Sequence, residues 1–564
     1  MAFDHRKYQA FRPQIDKRDR RWPDQRIERA PRWCAVDLRD GNQALVKPMT
    51  VVQKQQLFDL LVTIGVKEIE VGFPSASQPD FGFVRQLIEQ DRIPADVTIQ
   101  VLTQARDELI ERTFESLRGV HRAVVHVYNA TAPVFRDKVF QLDKAGCVAL
   151  AQQAATKVRD EAQKQPDTHW VFEYSPETFS FTEPDFAVEV INAVNAIWQP
   201  QDGQEVIINL PTTVEVASPN VFADQVEWVM DRIEQREKIC ISIHPHNDRG
   251  TGVATAELAL MAGADRIEGT LMGNGERTGN VDFMTLAMNL YSQGIDPELD
   301  FSDMKRVVAT VEEVTAIKTH PRHPWAGELV FAAFSGSHQD AIRKCLNVYE
   351  EGSQWDIAYL PIDPKDVGRR YEEVVRVNSQ SGKGGVAHVL ERDFGISLPR
   401  WLQQAFAKVV QAEAESSSAE VDAATIVRLF QENYLVAAEG FRLRGYDVRQ
   451  QDDKVMVQAS IGDDEGARVL LAGEGDGVVA ALVDALRRET GLHMTVSAFD
   501  EYALDAGTDA AAMACVRIET DTDVAIGVAR ARDTTAALLQ AVLNAAGHLQ
   551  RVVKRMPLNV AVSA

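Results

Sequence analysis

Thiols are scarce in this chain and never paired. The five cysteines, Cys34, Cys147, Cys240, Cys345 and Cys515, are odd in number and form no CxxC motif. That disfavours a disulfide framework or a thiolate zinc site and leaves reduced thiols. Positive charge is short as well: Lys+Arg 60 against Asp+Glu 83 gives a net charge of −23. So acidic a chain is a poor general binder of nucleic acid or of an anionic membrane. An anionic small substrate would need a local positive centre, such as an arginine or a metal. No apolar run reaches the roughly eighteen residues of a membrane helix, and no GxGxxG follows the first strand-like run. Residues 1–32 carry ten basic and five acidic side chains and lack the apolar core of a secretion signal. They are expected to form an arm on the protein surface, with the protein in the cytoplasm.

What is present is a repeating sentence. At 45% hydrophobic and 25% charged residues the chain is ordinary globular material. Between Trp33 and Leu271, short β-branched runs alternate with helix-like stretches such as Lys54–Ile64 and Ala254–Ala262. The runs are Cys34–Asp37, Glu68–Val71, Val97–Leu102, Ala123–Val127, Trp170–Tyr174, Val206–Leu210, Ile239–Ile243 and Arg266–Leu271. Parallel neighbours need crossovers, and eight units in about 250 residues is the arithmetic of a (β/α)8 TIM barrel rather than a doubly wound open sheet. The expected organisation is an arm over 1–32, a catalytic barrel over 33–300 and helical subdomains over 301–411. A polar, acidic linker, AEAESSSAEVDAA, follows near 412–424, and then a C-terminal α+β regulatory domain over 425–564. In that last part Glu439–Ile461 and Ala514–Val528 read as paired strands, each set leading to an alanine-rich helix, Gly477–Thr490 and Thr534–Leu549. This is a unit seen twice.

Reacting groups of such a barrel sit at the C-terminal ends of its strands. There the chain places Asp37-Leu-Arg39-Asp40-Gly41-Asn42-Gln43, then His126, then Ser175 and Glu177, then Asn209, Pro211 and Thr213. His244-Pro-His246-Asn-Asp and Gly273-Asn-Gly-Glu-Arg-Thr-Gly-Asn280 follow strands seven and eight. Residues i and i+2 of an extended segment share one side, so both imidazoles can face one ion. Alone, the pair fits a metal site or two ordinary histidines. Asp40 and Asn280 lie on neighbouring strand ends, and mixed N and O ligands suit Mg²⁺, Mn²⁺ or Zn²⁺. Such an ion could hold the carboxylate and keto oxygens of a 2-oxo acid. Arg39 could pair with an adjacent acid or stabilise developing oxygen charge. Gly473, Gly475 and Gly477 are expected in a turn before a helix, where free N–H groups could hold a carboxylate; a plain tight turn is the other reading.

DLRDGNQ, HPHND and GNGERTGN together resemble the DRE-TIM metallolyase superfamily. EVGFPSASQ, FEYSPE, NLPTTVE, FSGSHQDAI, YLPIDPKDVGR and VNSQSGKGG extend the resemblance to the long 2-isopropylmalate synthases of actinobacteria and fungi, over nearly the whole chain. The resemblance implies condensation of acetyl-CoA with 3-methyl-2-oxobutanoate and hydrolysis to 2-isopropylmalate, the committed step of leucine synthesis. By position, Asp40, His244, His246 and Asn280 match the metal ligands. Arg39 matches the arginine at the keto oxygen, while His126, Ser175, Asn209 and Thr213 match groups lining the keto-acid site. Glu177, His338 and Tyr359 match the remaining catalytic set, with Glu177 orienting His338. It further implies Mg²⁺ before Mn²⁺ or Zn²⁺, K⁺ as an activator, an obligate homodimer and leucine as feedback inhibitor. Gly527-Val-Ala-Arg530 stands where relatives carry a second glycine-containing turn. The nearest alternative is a sister synthase acting on another 2-oxo acid to give citramalate or homocitrate; Leu102, Tyr128 and Pro211 are the expected pocket residues that would decide.

Overall fold

The computed structural model describes residues 4–13, 15, 17, 19–200, 206–371, 383–417, 421–462, 468–504 and 510–549. Most of VNSQSGKGG and the end of the C-terminal domain lie outside the described residues. The chain divides into two compact units, Met1–Val330 with Ile362–Arg369, and Phe331–Pro361 with Arg370–Ala564.

In the first unit eight parallel strands close into a barrel in sequence order. They are β1 (Arg32–Ala35), β2 (Glu68–Gly72), β3 (Thr98–Gln104), β4 (Arg122–Ala130), β5 (His169–Glu177), β6 (Val206–Thr212), β7 (Ile239–Pro245) and β8 (Arg266–Gly269). β1 pairs with both β2 and β8, which removes every free edge. Helices follow the strands; the first, Val51–Thr63, starts with a capping box between Thr50 and Gln53. Side chains alternate along each strand. Ile69, Val71, Ile99, Val101, Ile241 and Ile267 are fully buried, on the alternate positions that face the helices. The opposite face is split into layers. Val124, Val171, Ile207 and Cys240 form one small apolar cluster. Glu68, Glu70, Gln100, Glu173, Arg266 and Glu268 form a charged layer. All are buried, and hydrogen bonds cross the barrel from Gln100 of β3 to Glu268 of β8 (3.3 Å) and from Arg266 to Gln100 (2.7 Å).

The basic arm lies on the helix Pro219–Met230 and the residue that follows it. Lys17 Nζ sits 2.9 Å from Glu227 and 2.8 Å from Asp231, Arg20 grips both oxygens of Asp224, and the Trp22 indole N–H donates to Asp224 at 2.9 Å.

In the second unit a helix spans Gly336–Val348, and three more, Lys383–Phe394, Arg400–Ser417 and Ala423–Phe430, precede the sheets. The described residues of the segment expected as a linker over 412–424 are instead part of a packed helical region: the helix runs on to Ser417, another starts at Ala423, and Ala414, Val421 and Ile426 are buried. Glu415, Ser416 and Asp422 are the solvated face of an amphipathic pattern. These helices share a core with Met513, Cys515 and Val528 of the second sheet, so 383–435 belongs with the C-terminal sheets. The boundary expected at 300/301 moves too: the helix Met304–Thr315 and the chain to Val330 belong to the barrel unit.

Each half of the C-terminal domain has three antiparallel strands rather than two. β9 (Leu443–Gln451), β10 (Lys454–Ile461) and β11 (Val469–Gly475) precede the helix Val478–Thr490. β12 (Thr495–Ala503), β13 (Ala512–Glu519) and β14 (Val524–Ala531) precede the helix Thr534–Gly547. Gly473 and Gly475 therefore lie in β11 and not in a turn. Their place is set by close helix packing: a Cβ on Gly473 would fall 2.2 Å from the Ala481 carbonyl oxygen, and one on Gly475 2.5 Å from the Ala481 nitrogen. Gly477 alone stands at the helix N-cap, with open space beside it. Gly527 of β14 repeats the Gly473 contact, 2.2 Å from the Ala541 carbonyl oxygen. It is the second copy of a packing glycine and not a lost turn.

Candidate functional site

A cavity of about 220 Å³ opens at the C-terminal mouth of the barrel. It is lined by Arg39, Asp40, Gln43, Phe73, Leu102, His126, Tyr128, Ser175, Glu177, Asn209, Pro211, Thr213, His244, His246, Glu276 and Arg277. All the barrel residues expected at the site converge here except Asn280, which touches it from behind. Strand β1 ends at Ala35, and Asp37–Gly41 then coil into one wide π-helical turn. That turn replaces the extended end expected at Asp37 and carries Arg39 and Asp40 inward.

Asp40, His244 and His246 bring one ligand atom each to within 4.8 Å of one another. Asp40 Oδ2 lies 3.1 Å from His244 Nε2 and 3.7 Å from His246 Nε2. The Asn280 amide N–H donates to the same oxygen at 2.7 Å. Its position is fixed by the bridge His246–Asn280 and by Gly279, where a Cβ would meet the Gly273 carbonyl oxygen at 1.9 Å. Asn280 Oδ1 and His246 Nδ1 are buried without a hydrogen-bond partner. Nitrogen and oxygen donors in this number, with orphaned buried polar atoms, fit a divalent cation.

The partners behind these groups were not foreseen from the sequence. His244 Nδ1 donates to Glu268 Oε2 at 2.7 Å, which aims Nε2 into the cavity. Burial opposes charge on His244, but hydrogen bonds to Asp40 and Glu268 outweigh it and lift the imidazole to about 9. Burial and then the neighbouring His244 push His246 down to about 4. Burial also works against the Asp40 carboxylate, yet Arg39 and His244 hold it well below the usual carboxylate range. The Arg39 guanidinium meets Asp40 Oδ1 at 2.9 Å and pairs through Nε with Glu70. Glu70 also takes His126 Nδ1 at 2.9 Å, while His126 Nε2 lies 2.7 Å from Ser175 Oγ. Asn209 Nδ2 donates to Ser175 Oγ at 3.0 Å. Burial raises Glu177 above the usual carboxylate range. A second acidic group, His126, Glu173 and Glu268, lies deeper. It already holds a cation, since the Arg266 guanidinium is 2.6 Å from Glu268 and 3.5 Å from Glu173. The signal for this layer was present: Glu68/Glu70 and Arg266/Glu268 are i, i+2 charges in strands whose other face is apolar. The cross-barrel pairing that makes them tolerable is non-local.

His338 and Tyr359 belong to the second unit. Their rings stack at 3.9 Å, and Tyr359 is 61% exposed with a left-handed φ of 65°. Every described residue lining the cavity belongs to the first unit.

A closed parallel barrel whose mouth gathers an aspartate, two histidines and an arginine around a small cavity defines a metal-dependent barrel enzyme. Comparisons with known proteins narrow this. Residues 30–311 match the HMGL-like family model, 328–391 match "Alpha-isopropylmalate synthase, post-catalytic domain-like", and 420–550 match the LeuA allosteric (dimerisation) domain. The 2-isopropylmalate synthase of Alcanivorax borkumensis is 63% identical over 99% of this chain and 100% of its own length. That of Rhodospirillum rubrum is 52% identical over 96% of this chain and 98% of its own. A solved hydroxymethylglutaryl-CoA lyase from Pseudomonas aeruginosa covers 51% of this chain and 93% of its own, at 21% identity and a TM-score of 0.41. The chain belongs to the 2-isopropylmalate synthase family. It is an acyl-condensing enzyme of leucine biosynthesis with an allosteric domain.

Proposed function

We propose that the barrel mouth condenses acetyl-CoA with 3-methyl-2-oxobutanoate to 2-isopropylmalate, with Asp40, His244, His246 and Asn280 holding a divalent ion, Mg²⁺ as the family resemblance implies. Such an ion acts as a Lewis acid on the keto group. Arg39, fixed by Glu70 and Asp40, faces the negative charge that develops on the keto oxygen. Thr213 serves the substrate carboxylate. His126, Ser175 and Asn209, tied into one hydrogen-bonded chain, form with Leu102, Tyr128 and Pro211 the wall against the alkyl group. Removing a methyl proton from a thioester needs a positioned base. His338 is part of that machinery, with Glu177 orienting that histidine and Tyr359 assisting the later hydrolysis. His338 and Tyr359 act from a second copy of the chain, so the working form is a homodimer. The C-terminal domain senses leucine, with the open N-cap at Gly477 as the carboxylate contact. K⁺ is an activator, and the enzyme works in the cytoplasm.

The observation that carries this reading is the convergence of Asp40, His244 and His246 beside Arg39. The test is a thiol-release assay on enzyme stripped with chelator and reloaded with Mg²⁺, across pyruvate, 2-oxoglutarate and 3-methyl-2-oxobutanoate, with and without leucine. The expected result is fastest release with 3-methyl-2-oxobutanoate, dependent on metal and inhibited by leucine. Preference for pyruvate or 2-oxoglutarate would assign a sister synthase. Light scattering across a dilution series checks the dimer.

A further inference from the structure

The loops after β6, β7 and β8 meet at a single side chain that the reaction chemistry does not require. Arg277, in the loop after β8, donates through Nε to Asp248 Oδ1 at 2.6 Å and through Nη2 to Asp248 Oδ2 at 3.1 Å. Asp248 belongs to the loop after β7. The same Nη2 donates to the Thr213 carbonyl oxygen, just past β6, at 2.6 Å. Asp248 Oδ2 in turn accepts the Glu215 main-chain N–H at 3.0 Å. The Glu215 carboxylate returns to the β7 loop, taking the Arg249 N–H at 2.6 Å, and to the helix Gly252–Met261 that follows, taking the Thr255 hydroxyl at 3.2 Å. The circuit leaves two fixed points in the cavity wall. Thr213 is held by its carbonyl from one side and by Thr178 N–H on its hydroxyl from the other, at 2.9 Å. His246 is two residues from Asp248, with its own N–H on Thr212 Oγ1 at 2.9 Å.

Two further features mark Arg277 as held in place for this purpose. Its backbone adopts a left-handed φ of 58°, which a residue with a Cβ adopts only where the surroundings impose it. Its fork is bidentate on one carboxylate while reaching a carbonyl, a geometry an ammonium cannot copy. An exposed arginine meant to attract an anion would be left with its charge open. Here the charge is matched by both oxygens of Asp248.

We propose that Arg277 is a positioning residue for the keto-acid site: it latches the three loops so that Thr213 meets the substrate carboxylate. This rests on the assignment of Thr213 to that carboxylate. The latch makes the keto-acid KM, and not the acetyl-CoA KM, the quantity that depends on Arg277 and Asp248.

Steady-state kinetics of the full chain, reloaded with Mg²⁺, tests this on R277Q, R277K, D248N and R277Q/D248N. The expected result is a keto-acid KM raised about five- to ten-fold in R277Q and D248N, the scale of one charge-assisted hydrogen bond. R277K gives no rescue, the double variant is no worse than either single one, and the acetyl-CoA KM and the unfolding midpoint stay at wild-type values. A keto-acid KM within two-fold of wild type in R277Q overturns the latch. So does a rise confined to the acetyl-CoA KM, which would make Arg277 a contact for coenzyme phosphates, or effects that add in the double variant. Failure of the underlying assignment is separate: T213A would then leave the keto-acid KM unchanged.

Discussion

Replacing Glu268 by glutamine should weaken metal binding without emptying the core. Glu268 is fully buried. One of its oxygens accepts His244 Nδ1 at 2.7 Å and the Asn209 amide at 3.3 Å; the other takes Arg266 at 2.6 Å and Gln100 at 3.3 Å. The carboxylate accepts only, so it fixes the proton on Nδ1 and leaves Nε2 as the ligating atom. A glutamine of the same shape has one accepting and one donating end. With its oxygen kept toward Arg266, its amide N–H points at His244 Nδ1 and moves the imidazole proton to Nε2, where it opposes ligation. Loss of such a partner behind a ligating histidine weakens metal affinity about 10- to 100-fold, or about 1.4–2.7 kcal/mol.

Calorimetric titration of Mn²⁺ into metal-free E268Q, beside wild type, measures this directly. E68Q is the control. Glu68 holds the other side of Arg266 at 2.7 Å, whereas His244 is held by Glu268, Asp40 and Asn280. It should lower the unfolding midpoint and leave metal affinity in place. Equal Kd values for wild type and E268Q would refute the reasoning, and so would an E68Q defect of the same size, since that would trace the effect to Arg266.

The metal-free His244 sits at about 9, and only the neutral imidazole ligates. Below that value binding must expel a proton, so affinity should rise about ten-fold per pH unit from pH 6 toward 9. Calorimetry in buffers of different ionisation heat counts that proton, and a pH-independent Kd would contradict it. G473A and G527A each drive a Cβ to 2.2 Å from a helix carbonyl oxygen. Each should destabilise the second unit by about 1–3 kcal/mol. G445A, with nothing within 4 Å of its Cβ, should not, as urea titration will show. K17M removes the buried ammonium from Glu227, which keeps the Arg21 and Trp22 main-chain N–H groups, and should cost about 1–3 kcal/mol of barrel stability; an unchanged denaturation curve would mean that the arm only rests on the surface.

The barrel was legible because its signal is periodic and local. Eight β-branched runs separated by amphipathic stretches survive as eight strands, with ends shifted by up to three residues. The mouth residues were legible because strand ends in a barrel share one rim, so residues from Asp40 to His246 could be brought together without coordinates. The layer beneath was not. Nothing local in EIEV or RIEG says that Glu70 holds Arg39 and His126, or that Glu268 holds His244, because these partners lie on other strands. VLLAGEG misled for a related reason. Glycine normally punctuates a strand, but at 473 and 475 it lets a helix close on one face, and that need becomes visible only once the helix is placed.

The charges under the cavity say which acids it can accept. Asp40, Glu68, Glu70 and Glu268 are all held ionised, because their cationic neighbours outweigh the effect of burial. Burial, and then Glu268, raise Glu173 well above the usual carboxylate range. Arg39 and Arg266 are already matched by these carboxylates, and the wall proposed for the alkyl group, Leu102, Tyr128 and Pro211, carries no cation. The second carboxylate of a dicarboxylate such as 2-oxoglutarate would be buried there without a partner, a state that proteins avoid. Rejection of 2-oxoglutarate should therefore persist in L102A and P211A, which widen the wall without altering the charge. Discrimination between pyruvate and 3-methyl-2-oxobutanoate, which rests on apolar contact alone at about 10- to 200-fold, should weaken in the same variants. Equal gains for both unwanted acids would mean that shape, and not charge, excludes the dicarboxylate.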